Sequence, residues 1–218
     1  MVTSIVLAGG RNLRMGRCKA MEILHGKSLI EHVIERLKLL SKRILIVTSQ
    51  NQPNLKIPCE AEVVVDLYSG KGPLVGIYTG LLASKSPYNI VVACDMPFLN
   101  VELLHYMLEL SQNFDAVIPR LEKEKIEPLH AVYCRSCLNT IRTELEHNRL
   151  KISQTSDNLS VRYVERAECQ RFDPQLLSFF NINSQSDLKR ATAITVDEQK
   201  PEKQHNSNIN IQPVNYPL

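Results

Sequence analysis

Tryptophan is absent from this 218-residue chain, aromatic residues make up only 6 %, and none of the eight glycines lies beyond Gly80. Missing too is any apolar run near the roughly 18 residues a membrane helix needs. The opening MVTSIVLAGG has no basic leader, and its apolar stretch is too short for a signal peptide. A cytoplasmic protein without a membrane partner is therefore expected. The net charge is only +3, with no stripe of Lys or Arg, which argues against a nucleic-acid partner. A small anionic ligand remains compatible with that charge.

Several catalytic signatures are also missing. There is no GxxxxGK[ST], which excludes a P-loop ATPase, and no GxGxxG dinucleotide fingerprint. Neither GxSxG nor HExxH occurs, so an α/β-hydrolase or a zincin is unsupported. Six cysteines form a single CxxC, Cys134 to Cys137, with no second knuckle to complete a zinc site. In a reducing compartment these residues are expected to stay thiols of no special role.

What is present alternates short β-rich runs with longer helical periods. Ser4–Leu7, Arg43–Thr48, Glu62–Asp66 and Asn89–Cys94 read as buried strands, with further strand candidates at 116–119, 130–134 and 160–164. Ser28 and Glu31 form a capping box ahead of an amphipathic helix through Leu40. Gly72-Pro73 opens a helix to about Ala83, and Asn100 caps another over 101–110. Later helices are expected near 135–147 and 187–193. Such alternation implies right-handed crossovers and an α/β domain with a mostly parallel sheet flanked by helices. One domain is expected over residues 1–196. From Asp197 onward the chain turns polar and aperiodic, as in a flexible tail over 197–218.

Ligands bind at the carboxyl ends of strands in such sheets. Three unusual segments fall there. LAGGRNLRMGRCK, residues 7–19, combines Gly9, Gly10 and Gly16 with Arg11, Arg14, Arg17 and Lys19. Bare glycine backbone can cradle phosphate oxygens while the cations neutralise them. Asp95 ends a buried strand in ACDMPFL, where a carboxylate could hold Mg²⁺ bridging substrate phosphates. Asp66 ends EVVVD, equally readable as a turn former or a ligand contact.

These motifs carry a resemblance. LAGGxxxRMGxxK at the N-terminus, DLYSGKGPLVGI at 66–77, ACDMPFL at 93–99, EPLHAVY at 127–133 and FNINSQSDL at 180–188 resemble the molybdenum cofactor guanylyltransferase family. The resemblance implies a Rossmann-like, nucleotide-diphospho-transferase-like fold. It also implies a reaction joining GTP to the phosphate of molybdopterin with Mg²⁺, giving molybdopterin guanine dinucleotide and pyrophosphate. By position, Leu7, Ala8, Gly9 and Gly10 would contact GTP, with Gly76 and Asp66 on the nucleotide. Lys19 and Arg14 would meet its phosphates. Asp95 would serve both GTP and the metal, and Asn181 and Asn183 would lie on the pterin side. Three positions depart from the family pattern: Asn12 replaces Ser, Cys18 replaces Asp, and Ser49 replaces Asn.

The implied chemistry is in-line attack by the molybdopterin phosphate on the α-phosphorus of GTP, with Lys19, Arg14 and Asp95 as the catalytic groups. Such transfer requires chiefly positioning and charge neutralisation. Two alternatives stand beside it. One is a cytidylyltransferase or another nucleotidyltransferase of the same fold. The other is a non-catalytic nucleotide-binding protein that delivers to molybdoenzymes, and a molybdoenzyme or biosynthesis protein is a candidate partner in either case.

Overall fold

The computed structural model describes residues 2–9, 19–50, 60–68 and 71–194. Most of the cationic loop (Gly10, Asn12, Arg14, Gly16 and Cys18 included), Gly70 and the polar tail lie outside the described residues. Among the described residues there are ten strands: β1 (Val2–Leu7), β2 (Ile23–Leu24), β3 (Lys27–Ser28), β4 (Arg43–Thr48), β5 (Glu62–Val65), β6 (Tyr88–Ala93), β7 (Ala116–Glu122), β8 (Lys125–Ile126), β9 (His130–Cys134) and β10 (Val161–Glu165). The α-helices are α1 (Leu29–Leu37), α2 (Pro73–Ala83), α3 (Val101–Glu109), α4 (Cys137–Glu146), α5 (Ile152–Ser156), α6 (Arg166–Phe172) and α7 (Gln185–Thr192).

The main sheet runs β10-β7-β9-β6-β1-β4-β5, with β8 added to β7. β5, β4, β1 and β6 pair parallel, as do β7 and β10. β9 is the reversed strand, antiparallel to both β6 and β7. The mostly parallel sheet is thus a mixed one, and the reason is chain length. β7 folds back through the short β8 and reaches β9 by Glu127–Leu129, leaving no room for the dozen or more residues of a crossover.

Local signals place the helices well. The Glu31 carboxylate accepts from the Ser28 amide at 2.8 Å, so the capping box starts α1 as expected. The Asn100 side chain accepts from the Leu103 amide at 2.8 Å and starts α3. α2 spans Pro73–Ala83 with Pro in its first turn. The short β2–β3 hairpin and α6 have no strong period, and both come from the structure alone. His25 and Gly26 turn that hairpin with φ of 48° and 81°, the paired left-handed conformations of a two-residue loop.

Two helical layers cover the sheet. α1, α3 and α6 bury Val33, Ile34, Leu103, Met107 and Cys169 on one face. α2 and α4 bury Leu74, Ile77, Leu81 and Ile141 on the other. α2 lies unusually close to β1. A Cβ on Gly80 would stand 2.5 Å from Ile5 Cγ2, and one on Gly76 would stand 3.2 Å from Leu7 Cδ2. Four residues of helix rise about 6 Å and two of strand about 6.6 Å, so the glycine pair and the Ile5/Leu7 pair stay in step. A third cluster of Leu24, Leu29, Phe98, Ile182 and Ala191 fastens the C-terminal segment beside the hairpin. No helix among the described residues is long and apolar enough to cross a membrane.

Candidate active site

Leu7 and Ala93 end β1 and β6, Val47 is one residue short of the end of β4 between β1 and β5, and a cleft of about 150 Å³ opens at these strand ends. Its walls include Ala8, Gly9, Lys19, Asp66, Gly76 and Asp95. The first turn of α2, Gly72 and Pro73, also faces the cleft, so the positive end of that helix opens on the ligand space. Gly72 has φ of 81° and open space where a Cβ would be, so its glycine serves conformation. Gly9 serves close approach: an added Cβ would lie 3.0 Å from the Ser49 amide nitrogen. The bare backbone after β1 thus fits against the turn after β4 while still facing the cleft.

Asp95 stands two residues past β6, where the chain leaves the sheet. The Lys19 ammonium forms an ion pair with its Oδ2, both side chains being 16 % exposed. Asp95 Oδ1 is buried and has no hydrogen-bond partner among the described residues. An unsatisfied buried carboxylate oxygen is costly and calls for a cation or donor. No group of three or more His, Cys, Asp or Glu that could hold a metal occurs among the described residues. The donor set therefore suits a cation such as Mg²⁺ that keeps water and substrate phosphate in its shell, and not one caged by protein.

Asp66 takes a different environment. Thr79 Oγ1, on α2, donates to Asp66 Oδ1 at 2.8 Å and accepts from the Leu67 amide at 3.2 Å. Burial pushes the Asp66 carboxyl above the usual carboxylate range, against the lowering effect of the Thr79 hydroxyl and the Leu67 amide on it. Thr79 was not singled out in the sequence, where only its position three residues after Gly76 marks it. Leu129, in the approach to β9, is a further wall residue; it lies in the EPLHAVY motif but was not singled out there.

The two asparagines separate. Asn183 Oδ1 accepts from Lys19 Nζ at 2.7 Å, which places it beside Asp95. The Asn181 side chain donates to the Phe179 carbonyl at 3.4 Å, and no contact among the described residues brings it to the cleft. Between them the Ile182 amide donates to the Asp95 carbonyl at 3.0 Å, so the segment is docked on the strand end. Gly10 and Arg14 lie outside the described residues. The CxxC has a structural explanation: the Cys137 thiol donates to the Asp115 carbonyl at 3.0 Å, and burial raises its pKa well above the ordinary thiol value.

Comparison with known proteins agrees with this geometry. Residues 4–158 match the family described as the MobA-like NTP transferase domain. A protein of Peptoclostridium acidaminophilum, named probable molybdenum cofactor guanylyltransferase, is 35 % identical over 206 residues, covering 91 % of each chain. The molybdenum cofactor guanylyltransferase of Desulfosudis oleivorans is 36 % identical over 194 residues, covering 88 % of this chain and 95 % of its own. The crystal structure of molybdopterin-guanine dinucleotide biosynthesis protein A from Archaeoglobus fulgidus superposes with a TM-score of 0.76. It is 33 % identical and covers 87 % of this chain and 96 % of its own.

Proposed function

This chain belongs to the molybdenum cofactor guanylyltransferases of the MobA-like NTP transferase family, and we propose that its cleft transfers GMP from GTP to the phosphate of molybdopterin. An oxygen of the molybdopterin phosphate attacks the α-phosphorus of GTP in line. The bond from that phosphorus to the β-bridging oxygen breaks, and pyrophosphate leaves with the bond's electron pair. The attacking oxygen is already anionic, so no general base is required. Preorganised charge and orientation are the chain's contributions.

Each residue has a role in that reading. The backbone of Leu7, Ala8 and Gly9 faces the nucleotide, continued by Gly10. Lys19 donates to the phosphates, with Arg14 assisting from the same loop. Asp66, held by Thr79, contacts the nucleoside beside Gly76. Asp95 would hold Mg²⁺ through Oδ1, and the ion would supply charge neutralisation for the triphosphate. Asn181 marks the approach on the pterin side. The domain over 1–196 works as one unit, with the tail from Asp197 outside the chemistry. GTP supply places the reaction in the cytoplasm, and the product implies a molybdoenzyme or a cofactor-biosynthesis protein as recipient.

The observation that carries the reading is the Lys19–Asp95 pair at a cleft bounded by Gly9 and the start of α2. Pyrophosphate release should be measured with molybdopterin supplied and GTP or CTP as donor. Mg²⁺-dependent release from GTP is expected. Preference for CTP, or GTP binding with no pyrophosphate formed, would overturn the assignment.

A further inference from the structure

Lys19 is the first residue of a short 3₁₀ turn, Lys19–Met21, and it emerges directly from the cationic loop. Its ammonium has three donors and no acceptor. One donor is taken by Asp95 and a second by Asn183 Oδ1 at 2.7 Å. Asn183 is exposed, yet its backbone is held on two sides. Its amide donates to Asp187 Oδ2 at 3.1 Å, and the preceding Ile182 amide is bonded to the Asp95 carbonyl. Ile182 itself is 3 % exposed, locked among Leu24, Leu29 and Phe98. Asp187 also accepts from Ser184 Oγ at 2.7 Å, at the start of α7. The Asn183 oxygen thus stands beside Lys19 on a backbone held in place, on a chain segment far from the nucleotide loop in sequence.

That placement matters because the Asp95 carboxylate would share its charge between Lys19 on Oδ2 and a metal ion on Oδ1. A divalent ion on the Asp95 carboxylate repels the Lys19 ammonium and competes for the same charge. Asn183 Oδ1 is then a second anchor for the ammonium as the hold of Oδ2 weakens. A neutral amide oxygen keeps the ammonium in place, whereas a second carboxylate would hold it away from phosphate. The remaining donor of Lys19 has no partner among the described residues and can turn to the triphosphate.

We propose that Asn183 is a positioning residue for GTP. It holds the Lys19 ammonium beside Asp95 when a metal ion shares that carboxylate. This places Asn183 on the phosphate side of the site, not the pterin side that the resemblance implies. The proposal rests on the GTP-transfer reading above and adds to it a residue that acts through Lys19.

The test uses the full chain, with GTP affinity measured by calorimetry in Mg²⁺ and without molybdopterin. Asn183→Ala should weaken GTP binding about tenfold, the size of one partly exposed charge-assisted hydrogen bond. It should also raise the Mg²⁺ concentration needed for half-saturation, while the KM for molybdopterin stays within about twofold. Asn183→Asp should bind GTP no better than Asn183→Ala. In a Lys19→Met background, Asn183→Ala should cost nothing further, because its partner is gone. Unchanged GTP affinity with a raised molybdopterin KM would return Asn183 to the pterin side and end the proposal. A GTP loss that persists in the Lys19→Met background would also end it, showing a general structural role. If wild-type protein binds GTP and releases pyrophosphate, only the Asn183 assignment is at stake in these variants. If wild type binds no GTP, the transfer reading fails and the proposal falls with it.

Discussion

The two sides of the sheet solve the same problems with different residues. From β5 to β6 the chain uses glycine: Gly9 against Ser49, Gly72 at the start of α2, and Gly76 and Gly80 over β1. Beyond Gly80 there is none, and from α3 to α7 polar side chains do the turning. Asp115 accepts from the Ser160 amide at 3.0 Å and from Ser136 Oγ at 2.5 Å. Asp173 accepts from the Leu177 and Ser178 amides at 3.0 and 2.7 Å. The Glu144 carboxylate, almost fully buried, receives Arg149 at 2.7 and 2.8 Å. Where φ must be positive there, Asn148 and Leu176 take it at 56° and 55°.

The difference follows from what each side must accommodate. A side-chain cap fills space with its own atoms, which is harmless at an exposed turn. The nucleotide side needs that space empty, either for a close helix–strand contact or for a ligand approaching backbone. Glycine is the residue that leaves it so. The glycine side therefore leaves bare backbone beside the cleft, and the glycine-free side holds its shape through side chains.

The sharpest way to break this comparison is at Asp95, a charged side chain that lines the cleft together with Lys19 and Asp66. Asp95→Asn should lower the rate of GMP transfer by about 10²–10³-fold while circular dichroism stays native, as for removal of a preorganised charged contact. Near-normal turnover would mean that backbone and loop cations suffice.

A second effect tests the seam between the sides. His130, on β9, is fully buried, and neither ring nitrogen has a hydrogen-bond partner among the described residues. It packs edge-on against Phe179 with ring centroids 4.8 Å apart. Burial lowers its pKa to about 3, below the ordinary value of 6.5, so the unfolded chain binds the proton first. Stability is then fully present above pH 6.5 and falls as pH drops toward 3, by roughly 1.4 kcal/mol per pH unit. Urea unfolding at pH 7 and pH 4.5 should differ by about 2–3 kcal/mol from this group alone. His130→Leu should remove that part of the acid sensitivity; an unchanged difference would refute the assignment.

Next in size is the helix–strand contact. Gly80→Ala should destabilise by about 1–3 kcal/mol in urea titration, because Ile5 lies inside the distance a methyl requires. Gly76→Ala should cost less, since only the far end of the Leu7 side chain must give. Equal costs would mean that β1 yields as a whole. The smallest effect is expected across the sheet: Asn148→Gly should raise stability by about 0.5 kcal/mol by relieving a left-handed residue. A larger gain would show that the glycine-free side carries real backbone strain.

Much of this architecture was legible without coordinates. The Ser28–Glu31 box, Asn100 and Gly72-Pro73 each mark a helix start, because a cap is satisfied within three residues of itself. β1, β4 and β6 are continuous apolar runs, as strands buried on both faces must be. The reversal of β9 was not legible, since the same apolar run pairs either way. Nor was α6, although Glu165 and Glu168 form a capping box ahead of it, because a seven-residue helix shows little period.

For the site, the sequence by itself determined the chemistry on offer: a glycine-rich cationic loop, a carboxylate ending a buried strand, and a helix start facing the same edge. Those are local facts, set by neighbours within a few residues. Only the tertiary structure decided which groups meet. Lys19 and Asp95 lie 76 positions apart, and Lys19 and Asn183 lie 164 apart. Thr79 reaches Asp66 only because α2 packs back against the strand end. Contacts of that range depend on strand order and on which segment docks at the open edge, and periodicity along a chain carries neither.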